Sequence, residues 1–149
     1  MSKSNRATGS LLQSDHAVRL AGPRSVLLHH SRMERDHLVT APIAFLHAWK
    51  TAVHLAGSAF FGDGTQASVD RAVGTRELPP NLERISESLG RMTADQRVFI
   101  AALVSLYNCQ EAARLLQLTG VTGLAELGTL DLQRRSVIAS LMLHYTPIC

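Results

Sequence analysis

With 149 residues, 46% of them hydrophobic and 18% charged, the chain carries enough apolar material for one core and too little for a membrane protein. Its formal charge of +3 comes wholly from residues 1–40, which hold six Lys/Arg against three Asp/Glu, while the rest of the chain is balanced. Two cysteines, Cys109 and Cys149, exclude a disulfide framework, so a reducing cytoplasm is the expected compartment.

Residues 1–39 alternate polar runs with short apolar ones (LLQ, AVRL, SVLLHH) and read as a basic arm, mobile or docked. No apolar h-region follows its first charges, so no secretory signal is expected. Residues 11–20 and 25–35 have the pattern of short helices, and Pro23 after Gly22 is expected to separate them. Helices of that length are marginal in isolation.

Residues 40–61 form the first clear helix, with Thr40 as N-cap and Pro42 in the first turn. Phe45, Leu46, Trp49, Ala52, Val53, Ala56 and Phe60 give it a wide apolar face. His47, Lys50, Thr51, His54 and Ser58 form a narrow polar strip. A lysine and two histidines near the middle are too costly for a membrane span. Gly62-Asp63-Gly64 is a turn, after which Asp63 and Gln66 are expected to cap a short helix over residues 65–73, with Gly74 beyond its end. Leu78-Pro79-Pro80-Asn81 breaks the chain and opens a helix through Leu89 with an apolar stripe of Leu82, Ile85, Leu89 and Met92 and Gly90 as C-cap.

The chain is organised around TADQRVFIAALVSLYNC, residues 93–109. Thr93 and Gln96 have the spacing of a capping box. From Val98 to Tyr107 only Ser105 is polar, and a helix apolar on nearly all sides is buried on nearly all sides. At about 1.5–3 kcal/mol per large side chain, its burial contributes on the order of 10 kcal/mol gross. Asn108 and Glu111 then cap a helix through Leu118. Gly120, Gly123 and Gly128 punctuate a connector with room for one helical turn near Leu124, and Asp131 caps a last helix with a stripe of Val137, Ile138, Leu141 and Tyr145, which Pro147 ends. No stretch alternates with period two, so no strand is expected.

No segment carries a recognisable catalytic constellation: there is no G-x-S-x-G, P-loop, Rossmann glycine pattern or C-x-x-C. His47 and His54 share a helix face but lie two turns apart, roughly 10 Å along the axis, too far to ligate one zinc. Lys50 between them repels a cation, so the strip reads as solvated and no metal or cofactor is implied. The period-three apolar residues of LQLTGVTGLAELGTLDLQ occur in one copy, which makes a compact connector rather than a leucine-rich repeat. Residues 108–145 have a loose helix-turn-helix outline, with Arg134 and Arg135 where a recognition helix would meet DNA. With Arg19, Arg24, Arg32 and Arg35 of the arm they make up the candidate nucleic-acid contacts, since phosphate tracking needs charge rather than order.

The run LPPNLERISESLGRMTADQRVFIAALVSLYN, then Ala112-Ala113, Leu115-Leu116 and GLAELGTLDLQRRSVIASLMLHYT, resembles small uncharacterised helical proteins of bacterial conjugative and integrative elements. The resemblance covers residues 78–146 and implies a bacterial cytoplasmic accessory protein. It carries over no functional residue.

The expectation is therefore an all-α protein: a basic arm over residues 1–39, then one domain over 40–149, a compact bundle of about five to six helices around a central buried helix over residues 93–107. The expected function is a non-enzymatic interaction module for a protein partner or a second copy of itself. Phe45, Trp49, Phe60 and Phe61 are the candidate contact residues, because large aromatics near an interface centre dominate its energy. The opposing expectation places these aromatics in the monomer core. A nucleic-acid accessory using the arm, and an enzyme built from residues far apart, are the alternatives.

Overall fold

The computed structural model describes residues 23–146 and, among these, side chains from residue 31 onward except that of Cys109. The expected helix over residues 11–20 and Arg19 lie outside the described residues, as do the side chains of Arg24, His29 and His30, the burial of Cys109, and Pro147 and Cys149. Six α-helices and no strand occur among the described residues: α1 Pro23–Ala56, α2 Gln66–Arg71, α3 Leu82–Ser88, α4 Ala94–Tyr107, α5 Cys109–Thr119 and α6 Leu132–Leu143, joined in part by short 3-10 turns. None of these helices is long and apolar enough to cross a membrane. The chain divides into two units between His37 and Leu38. The first, described from Pro23, consists there of leading turns of α1 in which residues 31–36 are exposed. The second holds all the other elements and the core.

The start of α1 corrects the expectation of a helix beginning at Thr40. One helix of 34 residues runs from Pro23 to Ala56. Pro23, expected to interrupt, is the first residue of this helix among the described residues. Pro42 lies inside the helix rather than in its first turn, so the Leu38 carbonyl loses its usual donor four residues on, at a local cost of about 3 kcal/mol. Beyond Pro42, Ala48, Trp49, Ala52 and Val53 enter the core. The helix also ends earlier than Phe61. Gly57 takes φ 105°, open to glycine at little cost, and turns the chain into a 3-10 segment over Ser58–Phe60. Phe61 then bridges Pro80 in antiparallel fashion, with Gly62 N–H donating to the Pro79 carbonyl at 2.8 Å and Asn81 N–H to the Phe60 carbonyl at 2.8 Å. A Cβ on Gly62 would lie 3.0 Å from the Glu77 carbonyl oxygen, and its φ of 55° further selects glycine.

The core explains why α4 is apolar all round. One cluster gathers Trp49, Val53, Phe61, Val69 and Leu78 with Phe99 and Leu103 of α4 and Ile138 and Leu141 of α6. A second, smaller cluster joins Ile85 of α3 and Leu115 of α5 to Ile100 and Val104 of α4. The helix lies between the two and buries Val98 through Ala101, Leu103 and Val104. Its capping box forms as expected, with Gln96 N–H donating to Thr93 Oγ1 at 3.3 Å and Thr93 N–H donating to Gln96 Oε1 at 3.0 Å.

Trp49 is the centre of the larger cluster. Its ring is fully enclosed, stacks with Phe45 (centroids 6.1 Å) and Tyr107 (5.6 Å), and meets Phe61 edge-on at 5.8 Å. Its Nε1–H donates to the Leu78 carbonyl at 3.2 Å, fastening α1 to the loop that enters α3. The caps of the other helices are local. Asn81 accepts from Arg84 N–H, Asn108 from Gln110 and Glu111 N–H, and Asp131 from Arg134 N–H. The α2 cap differs from expectation: Thr65, not Asp63, accepts from Ser68 N–H. Asp63 sits two residues back and holds Thr65, accepting its N–H at 2.8 Å and its hydroxyl at 2.7 Å. Gly90 lies within a 3-10 turn over Leu89–Arg91 instead of capping α3.

Replacing Trp49 with Ala should remove about 3–5 kcal/mol of unfolding free energy, measured by urea denaturation followed by circular dichroism. Trp49→Phe should cost less but still about 1–3 kcal/mol, because the Leu78 carbonyl is left buried without its donor. Hydrogen bonds from the Ser68 hydroxyl, then from the Thr65 hydroxyl and N–H, lower the Asp63 carboxyl from 3.8 to about 2. A depressed folded value means stabilisation that is present above the unfolded value and lost as pH falls through the folded one. Thermal stability should therefore decline between about pH 5 and pH 2, and Asp63→Asn should flatten that part of the profile.

Candidate functional site

The second unit carries an apolar cleft of about 360 Å³ whose walls come from three helices and the connector between two of them. Val98, Ala102, Ser105 and Leu106 supply one wall at the spacing of a single α4 stripe, and Ile138 and Met142, four residues apart on α6, supply the opposite one. Leu116 of α5 and the connector residues Val121, Leu124 and Leu127 complete the lining. This is the side of α4 that the two core clusters leave open, so Ala102 and Leu106 are half-buried where Ala101, Leu103 and Val104 are buried.

The cleft's two hydroxyls are committed. Ser105 Oγ donates to the Ala101 carbonyl at 2.7 Å, closing a bond back along its own helix. Thr122 donates both its N–H, at 2.6 Å, and its hydroxyl, at 2.7 Å, to Glu126 Oε1. Those bonds hold the Glu126 carboxyl below the usual range and pin the connector at the cleft edge. What remains is apolar surface. Leu124 is 78% exposed and Met142 56% exposed, so both lie at the mouth. The connector's apolar residues are unequally buried. Leu130 is buried and Val121 and Leu127 are half-buried, but Leu124, at the start of the 3-10 turn over Leu124–Thr129, is exposed.

The aromatic candidates divide differently from expectation. Trp49 and Phe61 are completely enclosed and offer no contact surface, since each is the other's edge-to-face partner inside the main cluster. Phe45 and Phe60 are half-buried and pack against that cluster. The four residues are therefore mainly core, the opposing expectation for this face of α1.

Among the nucleic-acid candidates, Arg32, Arg35 and Arg135 are exposed. Arg35 Nε donates to the Ser31 carbonyl of its own helix at 3.1 Å. Arg134 is turned inward: its guanidinium pairs with Asp131 and lies 5.7 Å over the Phe99 ring. The cap and the ring thus use the charge that a recognition helix would present to phosphate.

The polar strip of α1 is not uniformly solvated. Lys50 Nζ donates to the Asp70 carbonyl at 2.8 Å, and His54 lies within 2.5 Å of Gln66 Nε2 and 3.5 Å of Asp70 Oδ1. His54 and Lys50 thus form a polar seam against α2, while His47 faces solvent. Among the described residues, no group of three or more His, Cys, Asp or Glu side chains is placed to hold a metal ion.

No family model matches this chain, no curated protein matches it, and no solved structure matches its fold.

Glu126→Ala removes the acceptor of both Thr122 bonds. Amide exchange at Thr122 and its connector neighbours should accelerate while the α4 core amides keep their protection, a separation readable by hydrogen exchange followed by NMR.

Proposed function

We propose that the chain is a non-enzymatic interaction module whose α4–α6 cleft receives the apolar side chains of an amphipathic helix from a protein partner. The observation that carries this reading is the cleft lining: apolar walls, two hydroxyls already bonded within the chain, and exposed Leu124 and Met142 at the mouth. Catalysis draws on convergent, uncommitted polar groups. A lining without them rewards apolar burial, at about 1.5–3 kcal/mol for each large side chain inserted. Helix-in-groove docking uses residues at i, i+3, i+4 and i+7, a spacing that matches a cleft walled by helices. The contact surface in this reading lies on α4, the connector and α6, in place of the α1 aromatics. The resemblance of residues 78–146 to helical proteins of mobile elements would give such a module a bacterial accessory role.

Helical peptides selected by display against the full chain test the proposal. Isotope-edited NMR should place their perturbations on Ala102, Leu116, Leu124 and Ile138. Leu124→Glu and Met142→Glu change exposed positions, so the fold should survive while affinity drops by at least about tenfold. Selected peptides that perturb another face, or that bind the double variant unchanged, would sink the reading. A concentration-dependent dimer that Leu124→Glu dissociates would make a second copy the occupant instead.

A further inference from the structure

On another face of the second unit lies a pocket of about 340 Å³ that shares only Leu106 with the apolar cleft and differs from it in chemistry. Phe45, Tyr107 and Tyr145 give it aromatic walls, and Arg76 and Asn108 are among its polar lining. The rings are held from behind. Trp49, fully buried, stacks with Phe45 at 6.1 Å and 11° and with Tyr107 at 5.6 Å and 29°. Tyr145 lies against Phe45 at 6.1 Å, tilted by 53°. Two of the aromatic walls are thus positioned by the core.

The polar groups are donors. The Arg76 guanidinium is exposed and has no carboxylate partner among the described residues. Burial raises the Tyr107 phenol above its ordinary value, with the Arg76 charge opposing, so at neutral pH the phenol keeps its proton. Asn108 spends its Oδ1 on capping α5, accepting from Gln110 and Glu111 N–H, and its amide NH₂ remains for another acceptor. Among the described residues no Asp or Glu lines the pocket. Aromatic walls suit a planar apolar body, and a cation flanked by neutral donors suits a carboxylate at its edge. The volume falls in the small-ligand range of about 300–1,000 Å³.

We propose that this pocket binds a small aromatic carboxylate, its ring against Phe45 and Tyr107 and its carboxylate on Arg76 with Tyr107 Oη or Asn108 Nδ2 as second donor. The site is independent of the helix-binding reading, because its recognition residues are not those of the cleft.

Isothermal titration of the full chain with benzoate, phenylacetate and 2-naphthoate, each beside its neutral amide, tests it. At least one carboxylate should bind saturably and more tightly than its amide, and its signals should map by NMR to Tyr107, Asn108 and Arg76. Arg76→Gln, at an exposed position, should weaken that carboxylate by about tenfold and abolish the preference over the amide. Tyr107→Phe keeps the ring and should weaken it by a smaller factor. Circular dichroism confirms that both variants fold, and Arg76→Gln should leave cleft-peptide binding unchanged. The proposal is overturned if no carboxylate saturates below about 10 mM, if binding maps elsewhere, or if Arg76→Gln treats acid and amide alike with no loss for the acid.

Discussion

The indole of Trp49 is the constraint on which the rest of the second unit depends. It is buried completely, yet it carries an N–H that must find an acceptor, and the Leu78 carbonyl supplies one at 3.2 Å. A buried donor without a partner is expensive, so that bond fixes the loop before α3 against α1. The rings of Phe45, Phe61 and Tyr107 then gather on its faces and edge. Tyr107 brings the end of α4 to the same place, and Phe61 brings the turn after α1. One side chain thereby sets the relation between α1, the α3 entry and α4, and the aromatic pocket is its outer surface.

Around that point α4 divides the interior. Phe99 and Leu103 belong to the cluster of Trp49, and Ile100 and Val104 to that of Ile85. A helix between two clusters is buried on two sides. The third side, Ala102, Leu106 and the flanking Val98 and Ser105, closes against the connector and α6 only in part. The apolar cleft is the remainder of that incomplete closure. At its edge Glu126 ties Thr122 twice.

The two pockets differ because their surroundings differ. The cleft is walled mainly by apolar side chains of helix faces and of the connector, and its two hydroxyls are already bonded within the chain. The aromatic pocket is built where α4 ends, α6 has ended and a 3-10 turn passes, at Asn108, Tyr145 and Thr75. Segment ends bring polar side chains and uncommitted donors together, which helix flanks do not.

The sequence by itself determined the all-α class, the buried character of α4 and most helix starts. These are local: the Thr93–Gln96 box, the Asn81, Asn108 and Asp131 caps and the 3.6-residue periodicity act within one turn of the residues that encode them. It misled at Thr40 and Pro42, where the helix runs back through a local cap-and-proline signal, and at Asp63, two residues before the true cap at Thr65. Only the tertiary structure decided that Trp49 and Phe61 are core, that Arg134 is spent on Asp131 and Phe99, and that Lys50 and His54 face α2. Both pockets belong to the same class. Their walls join residues dozens of positions apart, and no periodicity within one segment records which faces of different segments will meet or which will stay uncovered.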